Sequence, residues 1–219
     1  MSRLLKIHYL LLEHFGRQHW WPADTPFEVV VGAILTQSAA WRNVEIAIDN
    51  LKKRGVLDFD GILRIDDEEL KRLIKPAGYF NAKARKLKEF VGFVDKNYDG
   101  NLDLFLSIPT EKLRSELLGI WGIGPETADS IILYAAQKPS FVVDAYTKRI
   151  FERQGLVEKN IGYDELKQLV EKHIPKDVEL YNEFHALIVS LGKNFCMPDP
   201  RCVGCPLDSS CRFFNSRRE

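Results

Sequence analysis

Three sets of residues in this chain could do chemistry. The densest is Cys196, Cys202, Cys205 and Cys211, spaced C-x5-C-x2-C-x5-C, with no other cysteine anywhere in the sequence. Four thiolates this close can wrap one metal centre, either a tetrahedral zinc ion or a [4Fe–4S] cube; a plain structural clip is the other reading. The second set is Gly122-Ile123-Gly124-Pro125-Glu126, where two glycines and a proline interrupt apolar runs. Glycine allows positive φ and the close approach of another backbone. The N–H groups of such a turn, and of the helix it opens, point outward unpaired and make a nest for a phosphate. A tight helix–helix connection that binds nothing has the same sequence. The third set is polar or aromatic: Asp144 before a helix, Trp20 and Trp21 before another, and Gln37 with Trp41 four positions on. An aspartate there is an ordinary N-cap. A carboxylate in a cleft can also stabilise developing positive charge and orient water. The tryptophans read equally as core, and the glutamine as surface.

The elements that must position these residues read as helices. Apolar spacing of 3.6 type predicts helices over 26–38, with FEVVVGAILTQSA, and 41–54, with Gly55 as a stop. A short helix is expected at Asp67–Ile74, then one from Asn81, as cap, to about Lys96. Another begins with Thr110 as N-cap, and one opens at Pro125, with Ala128, Ile131, Ile132 and Ala135 on one apolar face. Helices follow at about 145–154, 163–173 and 178–191, and only Phe141–Val143 looks extended. The N-terminal MSRLLKIHYLLLEHF places Leu4, Ile7, Leu11 and Phe15 on one helical face, so it reads as an amphipathic helix and not a signal peptide. No run reaches the ~18 apolar residues of a membrane span. The expectation is a soluble, intracellular protein. With 31 basic and 31 acidic residues the net charge is zero. Any nucleic-acid surface must therefore come from local clustering, as in the run Lys83, Arg85, Lys86, Lys88, which reads equally as a solvated face.

The run LLGIWGIGPETADSIILYA, followed by FVVDAYTKRIFERQG, resembles the helix–hairpin–helix and GPD signature of the endonuclease III superfamily of DNA glycosylases. The resemblance implies an all-α protein of two helical domains with the DNA-binding cleft between them. One would be a six-helix domain at 24–137 carrying the hairpin; the other would combine 1–23 with 138–219. In that family the hairpin holds a DNA phosphate, which falls here to Gly122 and Gly124, and the aspartate, here Asp144, supports cleavage of the bond between base and sugar. The cysteines resemble the C-x6-C-x2-C-x5-C loop of endonuclease III and the adenine glycosylase MutY, one residue shorter in the first gap. That implies a [4Fe–4S] cluster on Cys196, Cys202, Cys205 and Cys211, in a loop presenting Lys193, Arg201 and Arg212 to phosphates.

Members that also cut the strand carry a lysine two positions after the second glycine, whose amine forms a Schiff base with the sugar. Glu126 stands there, and a carboxylate cannot form an imine. The resemblance thus implies a monofunctional enzyme, with Lys148 as another nearby amine and candidate DNA contact. WWP, ILTQ and Trp41, with KPAGYFNAKARKL at 75–87, resemble the endonuclease III-type 3-methyladenine DNA glycosylases, whose aromatic residues sandwich a methylated purine. Trp20, Trp21, Trp41 and Glu126 are then expected around the flipped base, Gln37 as the wedge that fills its place, and Lys83 and Lys193 on the backbone. A cationic purine is already a good leaving group, and each well-placed indole attracts it by ~0.5–2 kcal/mol. The resemblance implies a cytoplasmic, nucleoid-associated monomer whose partner is double-stranded DNA with a damaged base. Two other functions keep the same motifs: removal of oxidised pyrimidines or mismatched thymine, and a non-catalytic DNA-binding or redox-sensing iron–sulfur protein.

Overall fold

The computed structural model describes residues 2–217, and among them the regular structure is entirely helical. Thirteen α-helices are present: α1 (Arg3–Phe15), α2 (Pro26–Leu35), α3 (Trp41–Arg54), α4 (Phe59–Arg64), α5 (Asp67–Ile74), α6 (Phe80–Tyr98), α7 (Leu102–Ser107), α8 (Thr110–Gly119), α9 (Pro125–Ser130), α10 (Ala145–Arg153), α11 (Tyr163–His173), α12 (Val178–Asn194) and α13 (Arg212–Asn215). None is long and apolar enough to cross a membrane. The chain divides into two compact units, one from Ala23 to Lys138, the other made of the residues up to Pro22 and from Pro139 onward.

In the Ala23–Lys138 unit, α2 forms the central rod. Thr25 caps it by accepting from the Glu28 amide at 3.1 Å, and Pro26 takes the first helical position. Every residue from Phe27 to Leu35 is buried, with α3, α6 and the chain around Ile131–Ala135 packed against it. A helix apolar on all sides can only be a core helix, and each fully buried Leu or Ile contributes about 1.5–3 kcal/mol. The helix opened by Pro125 is also buried all round beyond Glu126, where a single apolar face was expected. At Ile131–Ala135 it widens to i→i+5 bonding, a bulge that often accompanies functional sites.

The boundaries differ from the sequence expectation at several points. Asn81 is not a cap: α6 starts at Phe80, behind a left-handed Tyr79 at φ 45°. Thr110 is the first helical residue of α8 and Pro109 the residue before it, with no side-chain cap. α2 stops at Leu35, three residues early, and the short helices α4 and α7 were not expected. Both are six residues long and capped by Asp58 and Asn101, signals too brief to register as periodicity.

In the other unit α1 and α10 pack on α12. Leu4, Ile7 and Leu11 of α1 are buried as expected, and the Phe15 ring meets Phe195 edge-on at 6.1 Å. Phe141, Val142 and Val143 form a buried extended stretch that leads into Asp144 and belongs to no strand. Gly192 fixes how closely α10 meets α12: a Cβ there would lie 2.2 Å from the Tyr146 ring. That contact seats Asp144, at the mouth of α10, opposite the middle of α12.

Candidate active site and DNA-contact residues

Asp144 is the N-cap of α10. Its Oδ1 accepts two hydrogen bonds, from the Thr147 amide at 2.7 Å and the Thr147 hydroxyl at 2.8 Å. That oxygen is fully engaged in holding the helix. Oδ2 is turned the other way, 3.5 Å from His185 Nε2 on α12. Both side chains are largely buried, Asp144 at 9% and His185 at 5% exposure. Burial alone pushes the carboxyl up, but His185 and the two Thr147 donors outweigh it and hold Asp144 below the ordinary carboxylate range. The group is therefore an anion at neutral pH with one oxygen committed to structure. His185 escaped the sequence reading. It lies 41 residues beyond the aspartate, buried in the middle of α12, and only the α10–α12 packing brings it there.

Trp20 and Trp21 stand in the same unit, half-buried, with ring centroids 5.7 Å apart and planes at 74°. Set edge to face, they do not form parallel walls, so both cannot stack on one base. Lys193 is exposed and its Nζ lies 5.9 Å from the Trp20 ring centre. Lys148 is half-exposed on α10.

The hairpin belongs to the Ala23–Lys138 unit. Ile120 and Ile123 are buried and anchor the turn, whose Ile123 amide returns to the Ile120 carbonyl at 3.1 Å. The two glycines answer to different demands. Gly122 adopts φ +82°, and a Cβ there would fall 2.6–2.9 Å from the Lys86 side chain. Gly124 has an ordinary φ of −93°, and a Cβ there would meet nothing within 4 Å. Folding requires the first glycine; the second leaves the mouth of α9 bare. Glu126 is exposed in the first turn of α9, as expected.

Gln37 sits just beyond α2, and its amide is bonded into this hairpin. Nε2 donates to the Gly122 carbonyl at 3.2 Å and to Thr127 Oγ1 at 2.8 Å, while Oε1 accepts from Lys86 Nζ. Trp41, at the start of α3, donates Nε1 to Glu45 at 2.8 Å. Lys83 is corrected by the structure. It is 2% exposed, its ammonium donates to the Ala77 carbonyl at 2.8 Å, and burial followed by the nearby Lys86 charge lowers its pKa. A lysine in that position braces the 75–78 turn from inside and cannot reach a phosphate.

All four cysteines are free of disulfides, half-buried, and line one small recess with Ile150, Leu191 and Phe195. Arg149 Nε donates to the Cys196 carbonyl at 2.7 Å, and Arg153 Nη1 to Cys196 Sγ at 3.3 Å and the Met197 carbonyl at 2.6 Å. The loop is thereby tied directly to α10, the helix that Asp144 caps. Burial, above all, pushes the Cys205 thiol up to about 11, with the other cysteines adding to it. Among the described residues no three His, Cys, Asp or Glu side chains converge on one ion. The four thiols share that recess, a donor set that a single metal ion or a [4Fe–4S] cluster could use. Arg201 and Arg212 are exposed on this loop.

Comparison with known proteins agrees with this layout. Residues 31–176 match the profile of the HhH-GPD superfamily of base excision DNA repair proteins. A Methanocaldococcus jannaschii protein, described provisionally as a DNA repair glycosylase, is 50% identical over 95% of both chains. The structure of an H. pylori 3-methyladenine DNA glycosylase bound to 1,N6-ethenoadenine is similar at TM-score 0.75 and 28% identity, covering 88% of this chain and 98% of that one. Endonuclease III in a non-covalent DNA complex shares the fold at TM-score 0.84 and 24% identity, over 100% of this chain and 99% of that one.

Proposed function

We propose how this protein works from one premise: the chain belongs to the HhH-GPD superfamily of base excision DNA repair proteins, and it is a DNA N-glycosylase. In this reading Asp144 is the catalytic carboxylate. Its Oδ2, paired with His185, faces the deoxyribose of a flipped nucleotide, while Thr147 holds Oδ1. As the bond from C1′ to the base nitrogen breaks, its electron pair leaves with the base and positive charge grows on the sugar. The fixed anion stabilises that charge. A water oxygen then bonds C1′, and its surplus proton passes through Oδ2 to solvent.

The observation that carries the monofunctional reading is at residue 126. The position from which a lysine would attack C1′ holds a carboxylate exposed at the head of α9. The product is an abasic site in an uncut strand. The hairpin binds a phosphate of that strand through the amides beside Gly124, where the space a Cβ would occupy is open. Cys196, Cys202, Cys205 and Cys211 would hold a [4Fe–4S] cluster, which when bound supplies a rigid fold for the loop carrying Arg201 and Arg212. Lys193 and Lys148 lie on the same unit as Asp144 and add phosphate contacts.

For substrate we favour alkylated purines such as 3-methyladenine. Trp20 and Trp21, in the same unit as the carboxylate, and the likeness to an enzyme named for that base, support it. A neutral pyrimidine lesion is the second reading, and a specific observation favours it. The two indoles are edge to face, so no double-sided cation sandwich comes from them alone. A panel of duplexes separates the two: 3-methyladenine, an oxidised pyrimidine, and thymine or uracil opposite guanine, each followed for base release with and without alkali and with borohydride. The expected result is alkali-dependent cleavage of alkylated DNA and no trapped adduct. Release from the pyrimidines alone moves the assignment to the second reading. A borohydride-trapped adduct in good yield overturns monofunctionality.

A further inference from the structure

Four cations lie within six residues of α6: Lys83, Arg85, Lys86 and Lys88. The structure scatters them. Lys83 is inside the core. Arg85 pairs with Glu89 at 3.3 Å and lies over the exposed Trp121 ring at 3.8 Å. Lys88 donates to the Leu63 and Ile65 carbonyls at 3.0 and 2.6 Å, with Asp67 at 3.8 Å. Arg85 thus reaches the turn through Trp121, but Lys86 alone of the four lies across Gly122. Its methylenes lie across Gly122, within the space a Cβ would claim, and its ammonium is bonded to Gln37 Oε1. Among the described residues that ammonium meets a neutral amide and no carboxylate, so its charge is not cancelled. An ammonium has three protons to donate, and the glutamine takes one. Gln37 is itself fixed at its other end by Gly122 and Thr127.

We propose that Lys86 is a DNA-phosphate contact at the hairpin, and that Gln37 is the positioning residue that places its ammonium there. The proposal rests on the reading above that the hairpin grips the DNA backbone. Its logic is steric as well as electrostatic. The absence of a side chain at Gly122 opens a channel in which the lysine stem lies extended, and the glutamine amide ends that channel. The ammonium is thus ordered before DNA arrives, and little rotamer freedom remains to be lost on binding. It also gives Gln37 a role different from a wedge between bases, because both ends of its amide are engaged with the protein.

The test is equilibrium binding to an undamaged duplex over 50–200 mM salt, which requires no catalysis and no knowledge of the lesion. Each phosphate contact contributes about 0.9 to the slope of log K against log salt. Lys86→Met keeps the stem over Gly122 and removes the charge. The wild-type advantage over it should therefore shrink by about 3.5-fold between 50 and 200 mM. Lys86→Arg should retain the wild-type slope. Gln37→Leu should lose part of the same slope, and Gln37→Glu, which sets a carboxylate against the ammonium, should lose it as well; unchanged melting curves of both variants show that the hairpin is kept. Gly124→Ala, which the fold accommodates, reports on the hairpin itself by obstructing its amides. If Gly124→Ala weakens binding while Lys86→Met leaves the slope unchanged, the Lys86 proposal is overturned and the hairpin reading stands. If neither changes binding, the hairpin reading fails and the proposal with it. If Gln37 variants keep the slope and lose only the preference for damaged over intact DNA, Gln37 is a wedge, and the positioning role is overturned.

Discussion

Replacing Asp144 by asparagine separates its structural task from its chemical one. Asparagine caps helices as well as aspartate does, and its side-chain oxygen can keep both bonds from Thr147, at 2.7 and 2.8 Å. What disappears is the charge on Oδ2, 3.5 Å from His185. A unit positive charge developing at about 3.5–4 Å from that oxygen, at an effective dielectric near 20, interacts with it by about 4–5 kcal/mol. Loss of a single preorganised electrostatic group in other enzymes reduces kcat by ~10²–10³-fold, or about 2.7–4 kcal/mol. Asp144→Asn should therefore slow single-turnover base release ~100–1000-fold on the best substrate of the panel, with the α10 cap retained. Asp144→Ala should be as slow and, having lost the cap at about 0.5–2 kcal/mol, should also melt about 1–8 °C lower. Base release is followed by chromatography of the freed base, and melting by circular dichroism. Should Asp144→Asn retain a third or more of wild-type release, the carboxylate does not stabilise the reacting sugar, and the assignment of the catalytic group is wrong.

Three further outcomes are expected. Gly122→Ala forces an alanine to φ +82° and sets its Cβ against Lys86, costing about 1–3 kcal/mol. Adding Lys86→Ala should recover the steric part and not the backbone part, and equal stability of Gly122→Ala and wild type would refute the account. His8 is buried against Phe184 and Tyr9, and burial lowers its pKa while Glu183 pulls the other way. A lowered histidine favours folding above its unfolded pKa near 6.5 and loses that contribution as pH falls through and below it. Melting temperature should thus drop between pH 7 and 5 more steeply in wild type than in His8→Phe; parallel curves would dismiss the role. Cys205→Ser should remove visible absorption and most bound iron and lower the melting temperature, whereas a colourless wild type with one zinc per chain would overturn the cluster assignment.

The parts of this molecule that the sequence made legible are those governed by neighbours in the chain. α2, α3, α10 and α12 are strongly periodic or closed by glycine and cap residues, and the Gly122–Pro125 turn declares itself through residues that few other conformations accept. Asp144 was identifiable because its N-cap position and its motif coincide. The short helices α4 and α7 were not legible, being capped segments of six residues with too few apolar positions to show a period. His185 was invisible for the opposite reason: its significance arises from packing across 41 residues of chain, through the Gly192–Tyr146 contact that no local pattern encodes.

The basic run on α6 shows most plainly where reading by charge alone fails. A helix turns by about 100° per residue, so residues 83, 85, 86 and 88 cannot share one face. Position 83 points inward beside Ala84 and Leu87, and its lysine survives burial only by donating to the Ala77 carbonyl. A carbonyl satisfies the hydrogen bond without neutralising the charge, which is why the pKa falls. Position 86 is carried to the edge of the same helix, where a glycine on another segment makes room for its stem. The identity of the DNA-facing lysine is therefore decided by Gly122 and Gln37, 36 residues after it and 49 before it. A neutral chain that binds an anionic polymer needs few cations, but each must be aimed by residues of this kind.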